Sequence, residues 1–121
     1  MNTQINYYTM PGLIIKNAKD IHRIALIVCD YLEIEHKQLI SPKRYRNLVL
    51  ARNMICAIVK HTSKMTYSEI GRYFHRDHSS IIHGVEMHNR DVVHDDNYAA
   101  QFLQISLLTK SPNQKQTDYV I

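Results

Sequence analysis

Between Thr66 and Asn89 two helix starts stand almost back to back. Thr66 is followed three residues later by Glu69. This is the spacing of a capping box, in which each residue satisfies the other's free backbone N–H. Asp77 can cap a second helix running from His78 to about Asn89. Only Phe74, His75 and Arg76 lie between the two. So short a connection makes the helices cross steeply, which defines a helix-turn-helix unit. The second helix opens on Asp77, His78, Ser79 and Ser80, all short and polar, and turns apolar at Ile81, Ile82, Val85 and Met87.

The rest of the chain reads as helices packed around that unit. Ile21, Ile24, Ala25, Val28 and Leu32 recur at helical spacing, so Asn17 to Ile34 is expected as a helix with Asn17 as its cap. Glu35 to Ile40 reads as a short helical turn that carries Leu39 and Ile40 inward. Ser41-Pro42 then has the form of a helix start, with Ser as cap and Pro at the first helical position. The central helix expected from Lys43 to about His61 has a buried stripe of Leu48, Ala51, Ile55, Ile58 and Val59. Arg52, Asn53 and Lys60 fall off that stripe. Asp91 to Asp96 reads as an acidic break, and Asp95 or Asp96 can cap a last helix from Asn97 to about Thr109. The expected fold is an all-α bundle of about five or six helices over residues 18–109. Residues 1–17 form an N-terminal extension containing the apolar patch Leu13 to Ile15, and 110–121 a polar tail.

Charge is distributed unevenly. From Ser41 to Arg90 nine basic residues face three acidic ones, a net of +6, while the remaining residues carry a net of −2. Positive charge gathered on the helix-turn-helix half is the footprint of a polyanionic partner. The basic run Lys43, Arg44, Arg46 at an expected helix entrance opposes the helix macrodipole, which argues for a use other than helix stability. In helix-turn-helix units that bind DNA, the first residues of the second helix face base edges in the major groove. Here these are His78, Ser79 and Ser80, whose ring nitrogens and hydroxyls can each donate or accept.

Ile70-Gly71-Arg72-Tyr73-Phe74, followed by Arg76-Asp77-His78-Ser79-Ser80-Ile81-Ile82-His83, resembles the C-terminal DNA-binding domain of the bacterial DnaA replication initiators. The likeness runs from about Ile21 to His94. It implies recognition of specific duplex sequences at replication origins. By resemblance Arg44 enters the minor groove with Arg46 beside it, and Arg52-Asn53 stands where the family has a pair contacting the DNA backbone. Asp77 both caps its helix and meets a cytosine amine, and Arg76 belongs to the same surface. Thr66, Ser68 and Lys60 are candidate phosphate contacts. The family has two glycines between the Phe and the Arg of its motif. Here His75 stands alone, so the turn is one residue shorter and lacks glycine's access to positive φ.

Other chemistries fit less well. His75, His78 and His83 cluster, but a zinc pair on a helix needs i, i+4 spacing and a third converging ligand, so no metal or other cofactor is expected. His83 reads instead as a packing or hydrogen-bonding residue beneath the reading surface, and Gly84 as a point of close helix packing. Ser79 and Ser80 open a surface helix without a neighbouring base, so the chain does not read as an enzyme. Cys29 and Cys56 sit in apolar helical stretches, as reduced core residues do. No G-x-x-x-x-G-K-[ST] phosphate loop occurs, so ATP binding is not expected, and the chain reads as an isolated or stand-alone domain. There is no basic n-region before an apolar run and no apolar stretch of membrane-spanning length. The expected setting is the bacterial cytoplasm, at the nucleoid. The alternative reading is a helical interaction module for a replication or regulatory protein, whose basic face only solubilises it.

Overall fold

The computed structural model describes residues 18–110. These form six helices: α1 (Ala18–Leu32), α2 (His36–Leu39), α3 (Arg46–Thr62), α4 (Tyr67–Phe74), α5 (His78–His94) and α6 (Asp96–Thr109). The all-α bundle with a helix-turn-helix is therefore observed, the unit being α4 and α5. No helix among the described residues is long and apolar enough to cross a membrane. The expected Asn17 cap, the Leu13 to Ile15 patch and the tail beyond residue 110 lie outside the described residues.

α3 is the axis of the bundle. It packs on α5 and α1, and also on α2 and α4. Every residue from Ala51 to Val59 is consequently buried. This corrects the reading of α3 as a helix with one buried stripe. A helix contacted on all sides has no solvent face, so Arg52 and Asn53, expected off the stripe, are each only 7% exposed. Ile21, Ile24, Ala25 and Val28 of α1 meet Leu48, Met54 and Ile55 of α3, with Ile70, Phe74 and Ile105, in one core. Each fully buried aliphatic side chain of this kind contributes about 1.5–3 kcal/mol.

Two helix limits differ from expectation. α3 begins at Arg46 with Tyr45 at its N-cap, not at Ser41-Pro42. Ser41 closes the preceding turn instead: its Oγ donates to the Gln38 carbonyl at 2.7 Å and accepts from the Lys43 N–H at 3.2 Å. Lys43 and Arg44 thus lie in a loop ahead of the helix, and of the three bases only Arg46 stands in its first turn. α5 in turn runs through the expected break to His94. Asp91 to His94 contains no Gly or Pro to stop it, and Val92 packs against the core. The stop comes at Asp95, which caps α6 by accepting from the Tyr98 N–H at 3.1 Å.

The short turn of the helix-turn-helix is closed without a glycine at its left-handed position. His75 adopts the left-handed conformation itself, with φ 59° and ψ 42°. Its N–H donates to the Arg72 carbonyl at 3.3 Å, and the Arg76 N–H donates to the Gly71 carbonyl at 2.8 Å. This pair of bonds is a Schellman motif. α1 ends the same way on Glu33, φ 57°. The glycine that matters here is Gly71, one turn earlier. A Cβ at Gly71 would lie 2.3 Å from the Arg76 carbonyl oxygen, so only a residue without one lets the chain fold back this tightly. Gly84 does the same for α5 against α3, where a Cβ would lie 2.7 Å from Asn53 Oδ1.

Two opposite effects on stability follow. A left-handed backbone costs an L-residue about 1–2 kcal/mol, so His75→Gly is expected to stabilise the fold by roughly 1 kcal/mol after the entropy of glycine is subtracted. Gly71→Ala is expected to destabilise it by more than about 2 kcal/mol, since backbone must move. Urea unfolding of both variants checks this, and a stability loss in His75→Gly would contradict the strained-turn reading.

Candidate nucleic-acid interface

The loop from Ile40 to Tyr45, the turn between α4 and α5, and one face of α5 meet around a single cleft of about 220 Å³. Arg44 and Arg46 come from the loop and the start of α3, Arg52 from the next turn of α3, and Arg76 from the α4–α5 turn. Ser80, His83 and Met87 come from α5. Their spacing of three and four residues puts the last three on one helical stripe. The fold thus brings together arginines that are far apart in the chain.

The sequence-expected residues fall into three groups. Asp77, His78, Ser79 and Ser80 are all exposed at the start of α5. Asp77 is the N-cap: its Oδ1 accepts from the Ser80 N–H at 3.0 Å. That bond, with lesser help from the Ser80 side chain and His78, holds the carboxyl below the ordinary aspartate range. Arg44 and Arg46 are exposed at the mouth of the cleft. α3 opens beside them without any side-chain cap, which leaves the positive end of its dipole facing outward with them.

A second group stands apart from the cleft, where α3 ends and α4 begins. Thr66 and Glu69 form the expected capping box, with Thr66 N–H to Glu69 Oε1 at 2.8 Å and Glu69 N–H to Thr66 Oγ1 at 3.1 Å. Ser68 is exposed next to them. Lys60 donates to the Met65 carbonyl at 3.2 Å and lies 4.4 Å from the centre of the Tyr67 ring.

The third group is turned inward and corrects the surface reading. Asn53 is buried beneath Gly84. Arg52 is buried too. Its Nε donates to the Leu39 carbonyl at 2.7 Å, and its Nη2 to the carbonyls of Gln38 at 3.1 Å and Ser41 at 2.9 Å. It thus satisfies carbonyls left open where the four-residue α2 ends. Arg76 is half-buried. Its Nη1 donates to the Phe74 carbonyl at 2.8 Å and its Nη2 to the same Ser41 oxygen at 2.9 Å. None of these groups is positioned as a free surface contact.

Electrostatically the cleft is strongly positive: Arg44, Arg46, Arg52, Arg76 and Arg90 line it against the single carboxylate of Asp91. Lys37 pairs with Glu35 and Arg90 with Asp91, and neither pair involves Arg44, Arg46, Arg52 or Arg76. Burial first, and then the charges of Arg76 and Arg44, pull Arg52 down to about 10. Burial and Arg44 likewise lower Arg76. All still carry charge at neutral pH, so the cluster is a standing positive field.

Two participants were missed in the sequence. His83 is exposed on the cleft and not beneath it. Its place three residues after Ser80 on the same helix could have shown this. The Ser41 carbonyl is a backbone group, and no side-chain pattern announces it. Elsewhere, Cys29 and Cys56 are buried free thiols, and burial pushes Cys56 up to about 12.

Comparison with known proteins agrees with this geometry. The family described as "Bacterial dnaA protein helix-turn-helix" matches residues 21–87. The chain is 33% identical over 94 residues to the "Chromosomal replication initiator protein DnaA" of Citrifermentans bemidjiense, covering 75% of this chain and 20% of that protein. It is 34% identical over 73 residues to the protein of that name from Oleidesulfovibrio alaskensis, covering 60% of this chain and 16% of the relative. For that of Acholeplasma laidlawii the figures are 32% over 82 residues, with 67% and 18% covered. The chain spans about a fifth of the length of these curated relatives. With more than half of its residues matched, and with the capped α4, the tight turn and the exposed polar start of α5 in place, the chain belongs to the bacterial DnaA helix-turn-helix family of DNA-binding domains.

Proposed function

We propose that this chain recognises a specific duplex DNA sequence through two grooves at once. His78, Ser79 and Ser80 read base edges in the major groove, with Asp77 capping their helix and accepting from a cytosine amine. Arg44 enters the adjacent minor groove, and Arg46 lies against the backbone beside it. Thr66, Ser68 and Lys60 meet phosphates on the far side of the unit. Arg52 and Arg76 act through their field, and Asn53 through packing. The observation that carries this reading is the cluster of four arginines that lacks any carboxylate partner, set beside an exposed polar helix start. Phosphate oxygens supply the missing countercharge, and a narrow minor groove attracts an inserted arginine.

The setting is initiation of chromosomal replication, as in the relatives' name, and the compartment is the bacterial cytoplasm. The origin carries the sites, and a replication protein is the natural second partner. The outer face of α6 gives that partner a place away from the cleft: Leu103, Leu107 and Leu108 are each at least half exposed there. Without a phosphate loop, this chain neither binds nor hydrolyses ATP. Saturable micromolar ATP binding in equilibrium dialysis would contradict that.

Substitutions at the start of α5 separate reading from folding. His78→Ala and Ser79→Ala sit in an exposed first turn and should change stability by no more than about 0.5 kcal/mol. Affinity for the preferred duplex should fall by roughly 1–3 kcal/mol for each lost base contact, while nonspecific binding survives. Asp77→Ala should lower both affinity and stability, because the cap to Ser80 is lost. Normal melting with unchanged site preference in both single variants would remove base reading from α5.

A further inference from the structure

The carbonyl oxygen of Ser41 accepts from two guanidinium groups. Arg52 reaches it from α3 and Arg76 from the α4–α5 turn, each at 2.9 Å. A carbonyl has two lone pairs, so this acceptor is fully used. The donors come from opposite sides of the cleft. Arg76 is 35 residues from Ser41 in sequence and Arg52 is 11. The three-way junction therefore ties the loop that carries Lys43 and Arg44 to the turn that aims α5. It does so immediately before the loop leaves the body, since Pro42, Lys43 and Arg44 follow directly.

Two features mark Arg76 as part of the frame. Both terminal nitrogens of its planar fork donate to carbonyls of the protein, Nη1 to Phe74 and Nη2 to Ser41. Phe74 is the last residue of α4, so one end of the fork grips the reading unit and the other grips the loop. A lysine could not span both, because its ammonium is a single point on a flexible stem. The arrangement also sets like charges against each other: Arg44 and Arg76 both disfavour the charge on Arg52.

We infer that Arg76 is a positioning residue: with Arg52 it locks the Ser41 carbonyl, so that the arginine loop and the start of α5 present one rigid, two-groove surface. This rests on the two-groove DNA reading proposed above. Arg76 acts through Arg44 and the loop, and contributes charge without direct contact to DNA. Without the lock, α5 still enters the major groove, but Arg44 no longer has a defined entry to the minor groove.

The test uses Arg76→Lys in the full chain, which keeps the charge and removes the fork. A duplex selected from a random library is footprinted with hydroxyl radicals for the minor groove and by guanine methylation for the major groove. The wild-type chain should protect both. Arg76→Lys should keep the major-groove protection and lose the minor-groove protection next to it. Its preference for A·T-rich over G·C-rich flanks, about tenfold for one inserted arginine, should drop to within about twofold of unity. The slope of log affinity against log salt should stay as in the wild type, since no phosphate contact is removed. Arg44→Ala should then add almost nothing in the Arg76→Lys background. A merely structural role would weaken both footprints together, and that result overturns the proposal. So does an Arg76→Lys chain with both footprints and the flank preference intact. Should Arg76→Lys melt early, the same comparison is made well below its midpoint and repeated with Arg76→Gln. A wild-type chain that protects neither groove would overturn the DNA reading itself, which no result with Arg76→Lys alone can do.

Discussion

Two guanidinium groups on one carbonyl oxygen hold this molecule's two functional parts together. Arg52 and Arg76 bring α2, the basic loop, α3 and the helix-turn-helix to a common point at Ser41. The usual partner for a buried arginine is a carboxylate; the one in this cleft, Asp91, pairs with Arg90, and Arg52 and Arg76 bond to backbone carbonyls instead. Backbone carbonyls satisfy the donors but do not cancel the charge. The hydrogen bonds therefore build a rigid junction, while the net charge is left for an external anion. A carboxylate in the same place would stabilise the free domain and weaken its hold on a polyanion.

The same separation of tasks runs along the helix-turn-helix. Gly71 and the left-handed His75 shape the turn, the capping box at Thr66 and the Asp77 cap start the two helices, and the side chains left over point outward. In the short turn, His75 takes up the left-handed strain itself, with φ 59°. Histidine tolerates this conformation better than branched residues do, and the Schellman bonds to the Arg72 and Gly71 carbonyls close the turn around it. α6 shows the opposite distribution. Tyr98 and Ile105 are buried against the bundle, with Tyr98 hydrogen-bonded to His88 at 2.6 Å, while Leu103, Leu107 and Leu108 face away. Charge is thus concentrated on one side of the molecule and exposed apolar surface on another.

Local chemistry was the most legible part of the sequence. The capping box, the Asp77 and Asp95 caps, and the α1 face of Ile21, Ile24, Ala25 and Val28 all depend on residues within one or two turns, and all appear as read. The family and the all-α fold were likewise legible, because the motif around Arg76-Asp77-His78 is contiguous. What could not be read depends on neighbours distant in sequence. Arg52 and Asn53 look like surface residues on any helical wheel that assumes a solvent face, and α3 has none. Ser41-Pro42 has the composition of a helix start, but Ser41 is already committed to the turn that closes α2. The Arg76 contact to Ser41 spans 35 residues and ends on a backbone atom, so no spacing rule reaches it. His83 is a different case: its spacing from Ser80 places it on the same exposed stripe of α5, a local signal that the sequence does carry.

The central claim is that the arginine-rich cleft is an interface for the DNA backbone as well as its bases. The affinity of the unmodified chain for its selected duplex, measured from about 50 to 200 mM salt, tests this most directly. Neutralised phosphates release counterions, so log affinity should fall linearly with log salt, with a slope of about −0.9 for each phosphate met. For the exposed Arg44 and Arg46, the partly buried Lys60 and their neighbours the slope should be about −3 or steeper. An affinity that stays constant over this range would contradict the account and leave the basic cleft without the partner argued for it.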